Sequence, residues 1–446
     1  MDLTALIKRA ESFLQSFYRN LYDEHRANKP SIPLSQAFQA AAIFNLETVA
    51  MLRDELLAAP DADQLRRLFR FVTTGVIRYN LLAFDQELSR HYDQLSWPNT
   101  WAEHDALSPG QPSLVRPEAP LLTQLAAIYE QRWQQLNAQI AKLGFAGPAD
   151  YYAYVAGIEL TGLRQSAQNY LEQTKEQYLA ALTQIQPAVT DRWQLEAHLR
   201  GEAYQACFPA AELVPAIEDT LYHLGLDVTH QPNLVLEVNR AVSAGLALAF
   251  PVRVPEEIYV CINPIAGIDA FENMLGLGGM VMARLLFSPK QDWCDRRLFD
   301  PALDAAYAEL FSSLVALPAW RSDLLGVTAN CPKLQAFCQL RQLYRLRLAA
   351  ARVFFAVDRS RFSQADYAAI FQNALGVEHD PSTQVLDMGH MRNAFDTFRG
   401  MQTGARLATD IVNTYGPAWY RNPACGQALH NLFQGGPSRL SDLIIP

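Results

Sequence analysis

Apolar residues recur at three- and four-residue spacing over most of this chain, the pattern of helices that bury one face. The periodicity predicts helices over 3–27, 35–58 and 62–92. In the last of these, Leu65, Leu68, Phe69 and Val72, then Ile77, Leu81, Leu82 and Leu88, form the buried stripe. A stretch from Ser96 to Pro120 holding Pro, Gly and Trp breaks the pattern and predicts an irregular connection. Helices are expected again over 120–144, 149–158, 162–186, 189–203 and 209–225, with Pro148-Ala149-Asp150 and Thr161-Gly162-Leu163 as start signals. The period then shortens. Residues 233–238, 246–254 and 258–262 are short runs rich in β-branched and aromatic residues separated by Gly, Pro and Glu, which predicts one small sheet within about 233–263. From 268 to the end the helical pattern returns, broken near 288–300, 326–334, 376–390 and 433–438. No internal repeat is visible, so a solenoid is disfavoured. No Gly/Ser- or Pro-rich linker divides the chain. The expected fold is mostly α, a single body over 1–446 with two lobes around a cleft: a helical lobe 1–205, and a lobe 206–446 that carries the sheet.

Composition narrows the function classes. With 446 residues, half of them hydrophobic, the chain can bury a large core. No run of about 18 apolar residues could span a bilayer. Asp2, Lys8, Arg9 and Glu11 interrupt what an export signal would need as its apolar core, so a cytoplasmic protein is expected. The formal charge of -9, without a basic block, suits neither a nucleic acid nor an anionic membrane. The six cysteines lie far apart without a C-x-x-C pair, which predicts free thiols. Only six of the 37 basic residues are lysine, which reads as a coding bias.

The chemistry should lie where the sheet meets the next helix. Pro255-Glu256-Glu257-Ile258-Tyr259-Val260 is followed by Asp269-Ala-Phe-Glu-Asn-Met-Leu-Gly-Leu-Gly-Gly-Met-Val-Met. This resembles the thimet oligopeptidase and oligoendopeptidase F group of zinc metallopeptidases, in which a Val-Pro-x-Glu-Val-Tyr-like strand precedes a helix bearing His-Glu-x-Gly-His. In that motif two histidines four apart chelate zinc from one helix face, the intervening glutamate activates the bound water, and a glutamate from a later helix completes the set. The resemblance puts Leu275 at the first histidine, Gly276 at the catalytic glutamate and Gly279 at the second histidine. Ala305, in Ala305-Ala-Tyr-Ala-Glu-Leu-Phe311, stands at the third ligand. The helix from Thr397 to Leu407 and the segment Tyr415-Gly-Pro-Ala-Trp419 resemble the family's C-terminal motifs. Arg399 is retained, whereas Thr397 stands where the family has a tyrosine. The likeness covers most of the chain in order and spacing, and no His-Glu-x-x-His occurs anywhere in it.

Two readings of Leu275 to Met282 are open: a decayed active-site helix, or a segment whose Gly276, Gly278 and Gly279 let a neighbour come close while Met274, Met280 and Met282 fill space. Interior glycines weaken a helix by about 1 kcal/mol each, so packing must hold it. Glu87/His91, His198/Glu202 and Asp387/His390 have helical spacing, as ordinary surface pairs also do, and His223 and His230 flank a loop. No Gly-x-Ser-x-Gly elbow or Walker loop is present. The resemblance further implies that the strand at Glu256, Ile258 and Tyr259 is an edge along which an extended peptide pairs, with Tyr307, Thr397 and Arg399 in the cleft. The aromatics at 151–154 and Tyr415, Trp419 and Tyr420 either line a groove or are core. The expectation is a pseudopeptidase without zinc or another cofactor that binds a peptide or protein, with pairing to an active relative as one form and the oligomeric state open. The alternatives are an enzyme repurposed for metal-independent chemistry on a small molecule, and a structural subunit with a filled cleft.

Overall fold

The first helix, α1 (Leu3–Ala27), has the bounds its periodicity predicts. In the computed structural model, residues 2–27, 34–59, 62–94, 118–238, 247–328, 331–359, 362–388 and 393–436, with Leu440 and Leu443, are described. Most of the expected connection over 96–120 lies outside them, as does His390. The helix expected over 35–58 is two, α2 (Leu34–Ala41) and α3 (Leu46–Ala58). Ala42 adopts a left-handed φ of 54°, and Asn45 caps α3 by accepting from the Thr48 amide at 2.8 Å. Next come α4 (Asp63–Gln94), α5 (Ala119–Lys142) and α6 (Pro148–Ala156). With α1 and α3 they bury Leu52, Phe69, Val72, Ile140 and Tyr151 in one core.

The segment expected as one helix over 162–186 is α7 (Leu160–Gln173) and α8 (Lys175–Thr183). The one expected over 189–203 stops early: α9 (Arg192–Leu199), capped by Asp191, ends before Gly201, whose φ of 68° leads into a 3₁₀ turn over Glu202–Cys207. After α10 (Ala210–His223) come the strands β1 (Leu234–Val238), β2 (Ala247–Arg253) and β3 (Glu257–Ile262), close to the predicted runs. The remaining helices are α11 (Ile268–Leu285), α12 (Trp293–Arg297), α13 (Ala302–Ser312), α14 (Pro318–Leu325), α15 (Pro332–Asp358), α16 (Gln364–Leu375), α17 (Gln384–Met388), α18 (Ala394–Tyr415) and α19 (Pro423–Gly435). A second core joins α7–α9 to α15, α16 and α18, drawing residues from both sides of position 205.

The sheet runs in the order β1-β3-β2, β1 parallel and β2 antiparallel to β3. Side chains alternate between its faces. Ala249, Ile258, Val260 and Ile262 enter the core shared with α10, α11 and α13, whereas Leu248, Phe250 and Cys261 meet Tyr22 of α1 on the other face. The sheet is thus wedged between α1 and the helix that follows it. The architecture is mostly helical with one small sheet, as expected.

Candidate functional site

α11 is buried along almost its whole length, which its apolar sequence requires. Its glycines decide how close α13 comes. A Cβ on Gly276 would lie 3.2 Å from the Ala308 carbonyl oxygen and 3.3 Å from its Cα, and one on Gly279 would lie 2.5 Å from Phe311 Cδ2 and 2.9 Å from the Tyr307 carbonyl oxygen. α18 presses on α13 from another side by the same device. A Cβ on Gly400 would sit 2.2 Å from the Ala302 oxygen and 2.5 Å from Ala305 Cβ, and one on Gly404 would sit 2.4 Å from the Ala306 oxygen. Only glycine lets backbones approach this closely. The packing reading of the α11 glycines therefore holds for Gly276 and Gly279, while Gly278 faces Leu221 and Ile217 of α10 at ordinary contact distances.

None of the positions that the motif resemblance assigns to zinc chemistry carries a donor. Leu275 is buried in the apolar core, Gly276 and Gly279 have no side chain, and Ala305 abuts Gly400. An imidazole at 279 would have to occupy the volume of the Phe311 ring. These residues do not fit a bound zinc ion. Among the described residues no group of three or more His, Cys, Asp or Glu side chains lies close enough together to hold a metal.

The expected peptide edge is corrected by the topology. β3 is the middle strand, its residues paired to β1 on one side and β2 on the other, so the strand at Glu256–Val260 has no free backbone edge to offer. Ile258 is fully buried. Tyr259 stacks on Tyr22 at 4.0 Å, donates to Glu257 Oε1 at 2.7 Å and accepts from Arg19 Nη1 at 2.7 Å, while Arg19 also pairs with Glu257. Glu256 is exposed beside Arg296. Tyr307 is likewise core: its ring meets Phe433 edge-on at 5.3 Å, and burial pushes its phenol far above the ordinary range. Tyr151, Trp419 and Tyr420 are buried too, whereas Tyr154 keeps substantial exposure. Thr397, one turn before Gly400 on α18, is partly exposed, and so is Ala305. Arg399 donates to Asp300 Oδ2 at 2.7 Å and to Asp396 Oδ1 at 3.3 Å.

What the sequence reading missed is a chain of buried charges next to this packed junction. Glu272 lies one turn before Leu275 on α11, and Glu309 one turn after Ala305 on α13. Both are nearly buried, at 7% and 5% exposure. Between them, Arg345 of α15 donates to Glu309 Oε2 at 2.6 Å and to Glu272 Oε2 at 3.2 Å. Arg341, one turn away, donates to Glu272 Oε2 at 2.6 Å and to Asp269 Oδ1 at 2.5 Å, and also to the Leu199 carbonyl. Burial works to raise the Glu272 carboxyl, but Arg341 and Arg345 outweigh it and hold it below its ordinary value. Burial dominates at Glu309, which sits above its ordinary value despite Arg345. The signal available in the sequence was a lone glutamate in an apolar helix and two arginines four apart on another.

Among the described residues the histidines form no metal site. Gly201 separates His198 from Glu202, so they share no helix. Asp387 faces Arg192, Arg352 and Tyr367. His230 bonds Asp227 within an exposed turn. All six cysteines are free thiols.

With this geometry in hand, solved structures of similar shape can be compared. Trypanosoma cruzi metallocarboxypeptidase 1 superimposes with a TM-score of 0.55 at 12% identity, covering 97% of this chain and 94% of that one. The fold is metallopeptidase-like. A structure described as "The Structure of CHT" gives a TM-score of 0.51 at 13% identity, covering 98% and 97%. The M32 carboxypeptidase of Deinococcus radiodurans R1 gives 0.45 at 13% identity. No protein-family model and no curated protein matches the sequence. Likeness at this identity speaks to the fold alone. Among the described residues no helix is long and apolar enough to cross a membrane.

Proposed function

We propose that this chain is a non-catalytic relative of the zinc oligopeptidases and carboxypeptidases, a pseudopeptidase that binds a peptide or protein partner in its former substrate cleft. One observation carries the reading: the positions that would supply zinc ligands and the catalytic carboxylate hold Leu275, Gly276, Gly279 and Ala305, and α13 fills the space that donors would need. The order of motifs along the chain supports placement near the oligoendopeptidase F group, and the metallocarboxypeptidase likeness supports the wider class. Because β3 is fully paired, a bound segment would have to contact the partly exposed Ala305 and Thr397 rather than the sheet. A repurposed, metal-independent enzyme is the second reading, favoured by one group, the buried Glu309 carboxyl held above its ordinary value. Its Oε2 is committed to Arg345, which weighs against a role as general base.

The test uses purified full-length protein: metal content, turnover of a quenched peptide library, and retention of the same peptides by the protein and by a Thr397→Trp variant. Expected are no stoichiometric zinc, no turnover, and peptide retention that the tryptophan abolishes. Stoichiometric zinc with chelator-sensitive cleavage overturns the reading, and retention unaffected by Thr397→Trp overturns the placement of the ligand.

A further inference from the structure

Beside the apolar contact of α11 and α13 lies a group of buried charges that also joins the two helices. Two carboxylates, one from each helix, converge on a single guanidinium from a third. Arg345 approaches Glu309 with Nη2 at 2.6 Å and Glu272 with Nη1 at 3.2 Å, and Nη2 also lies 3.4 Å from Ser312 Oγ. We infer that the Arg345 guanidinium is the built-in cation of this junction, joining Glu272 on α11 to Glu309 on α13 and making their association independent of a bound metal. Its position as a substitute for a lost ion rests on the functional reading above; the junction itself rests only on these contacts.

The charge balance supports a cation held by need. Facing one another are Asp269 and Glu272 from α11, Glu309 from α13 and Arg341 and Arg345 from α15, with Tyr170 of α7 close enough to sense Glu309. Three carboxylates meet two guanidinium groups, and Arg341 is already engaged by Asp269 and Glu272. Without Arg345, Glu309 would have no cation bonded to it, and two nearly buried carboxylates would face each other. Such a pair keeps its charge only with a counter-ion, and otherwise takes up a proton. A planar guanidinium suits the place because it can donate to two acceptors at once, which a lysine ammonium does with less directional control.

Arg345→Met removes the charge while keeping much of the stem. Its thermal midpoint should fall well below that of the parent at pH 8, and the gap should narrow at pH 5, where Glu309, left without a cation, takes up a proton more readily while Glu272 keeps Arg341. Adding Glu309→Gln to Arg345→Met should restore part of the loss at pH 8, and millimolar Mn²⁺ or Ca²⁺ should raise the midpoint of Arg345→Met but not of the parent. Should Arg345→Met alone not accumulate as folded protein, Arg345→Met with Glu309→Gln takes its place and is expected to fold, with a gap from the parent that no longer widens between pH 5 and pH 8. A loss equal at both pH values and untouched by Glu309→Gln means that Arg345 acts only through packing, and overturns the inference. Zinc in the parent protein would overturn the functional reading and leave this result standing, so the two failures are distinguishable.

Discussion

Replacing the α11 glycines by alanine one at a time separates close packing from intrinsic helix preference. In a helix interior with room for a methyl group, Gly→Ala stabilises by about 1 kcal/mol. At Gly278 the methyl would meet Leu221 Cδ1 at 3.7 Å and Ile217 Cγ2 at 3.9 Å, so Gly278→Ala keeps that gain. At Gly276 it would meet Ala308 backbone at 3.2–3.3 Å, and α13 would have to retreat by a few tenths of an ångström, offsetting most of the gain. At Gly279 it would lie 2.5 Å from Phe311 Cδ2 and 2.9 Å from the Tyr307 oxygen. Overpacking of that kind costs about 1–3 kcal/mol, which leaves Gly279→Ala about 1 kcal/mol less stable than the parent. Thermal unfolding followed by circular dichroism should rank the variants Gly278→Ala, parent and Gly276→Ala together, then Gly279→Ala. The ranking is the readout, because a chain with several cores need not unfold in two states. A Gly279→Ala protein as stable as Gly278→Ala would refute the claim that α13 is locked against α11.

Three further outcomes follow from the same structure. Introducing a His-Glu-x-Gly-His motif, with Leu275→His, Gly276→Glu and Gly279→His together, should lower the unfolding temperature and bind no stoichiometric zinc by elemental analysis, because Ala305 gives no third ligand and Phe311 fills the second histidine's place. Asp387→Asn should be among the most damaging single changes, giving a larger drop in unfolding temperature than any of the glycine variants, because breaking a buried ion pair costs about 3–5 kcal/mol: this fully buried carboxylate accepts from Arg192 at 2.7 Å, Arg352 at 2.9 Å and Tyr367 at 2.7 Å. His379 is 3% exposed, and burial, helped by Arg192, lowers its pKa to about 4. Below about pH 6.5 the unfolded chain takes up a proton that folded His379 refuses until about pH 4, so stability should fall by about 3 kcal/mol across that window. His379→Leu should flatten this part of the profile, and an unchanged slope would show that other groups carry it.

The elements legible in the sequence are those whose burial repeats with a fixed period. α1 was readable because one side of it faces a core, and the strands because they are short apolar runs; in β2 both faces are buried, Leu248 and Phe250 on one and Ala247 and Ala249 on the other. The division of 35–58 into α2 and α3 was hidden because a left-handed alanine leaves no mark on hydropathy; Asn45 was the local clue. That β3 is central could not be read, since strand order is settled by partners, and β1 pairs with β3 across the intervening β2. The arginine bias had more content than its reading as a coding habit allowed. Arg192, Arg321, Arg341 and Arg347 are nearly buried, each donating to two or more acceptors, a use for which lysine is poorly shaped.

The absence of donors at the junction is a matter of volume as much as of chemistry. A zinc site needs ligand side chains projecting into a gap between its helices. Here the glycines on α11 and α18 allow α13 to be gripped from two sides, and Phe311 and Ala305 occupy what a gap would require. Each residue fits because the others are small or apolar: a histidine at 279 is excluded while Phe311 stays, and any side chain at 400 is excluded while Ala305 and the α13 backbone stay against it. Placing a ligand at one position strains the packing and still gives no tetrahedral set, so no single substitution makes a metal centre here. The neighbouring charges close the same door, because the two carboxylates that flank Ala305 on its helix, Asp304 and Glu309, are bound to Arg284 and Arg345 and would have to abandon those guanidinium groups to serve as ligands.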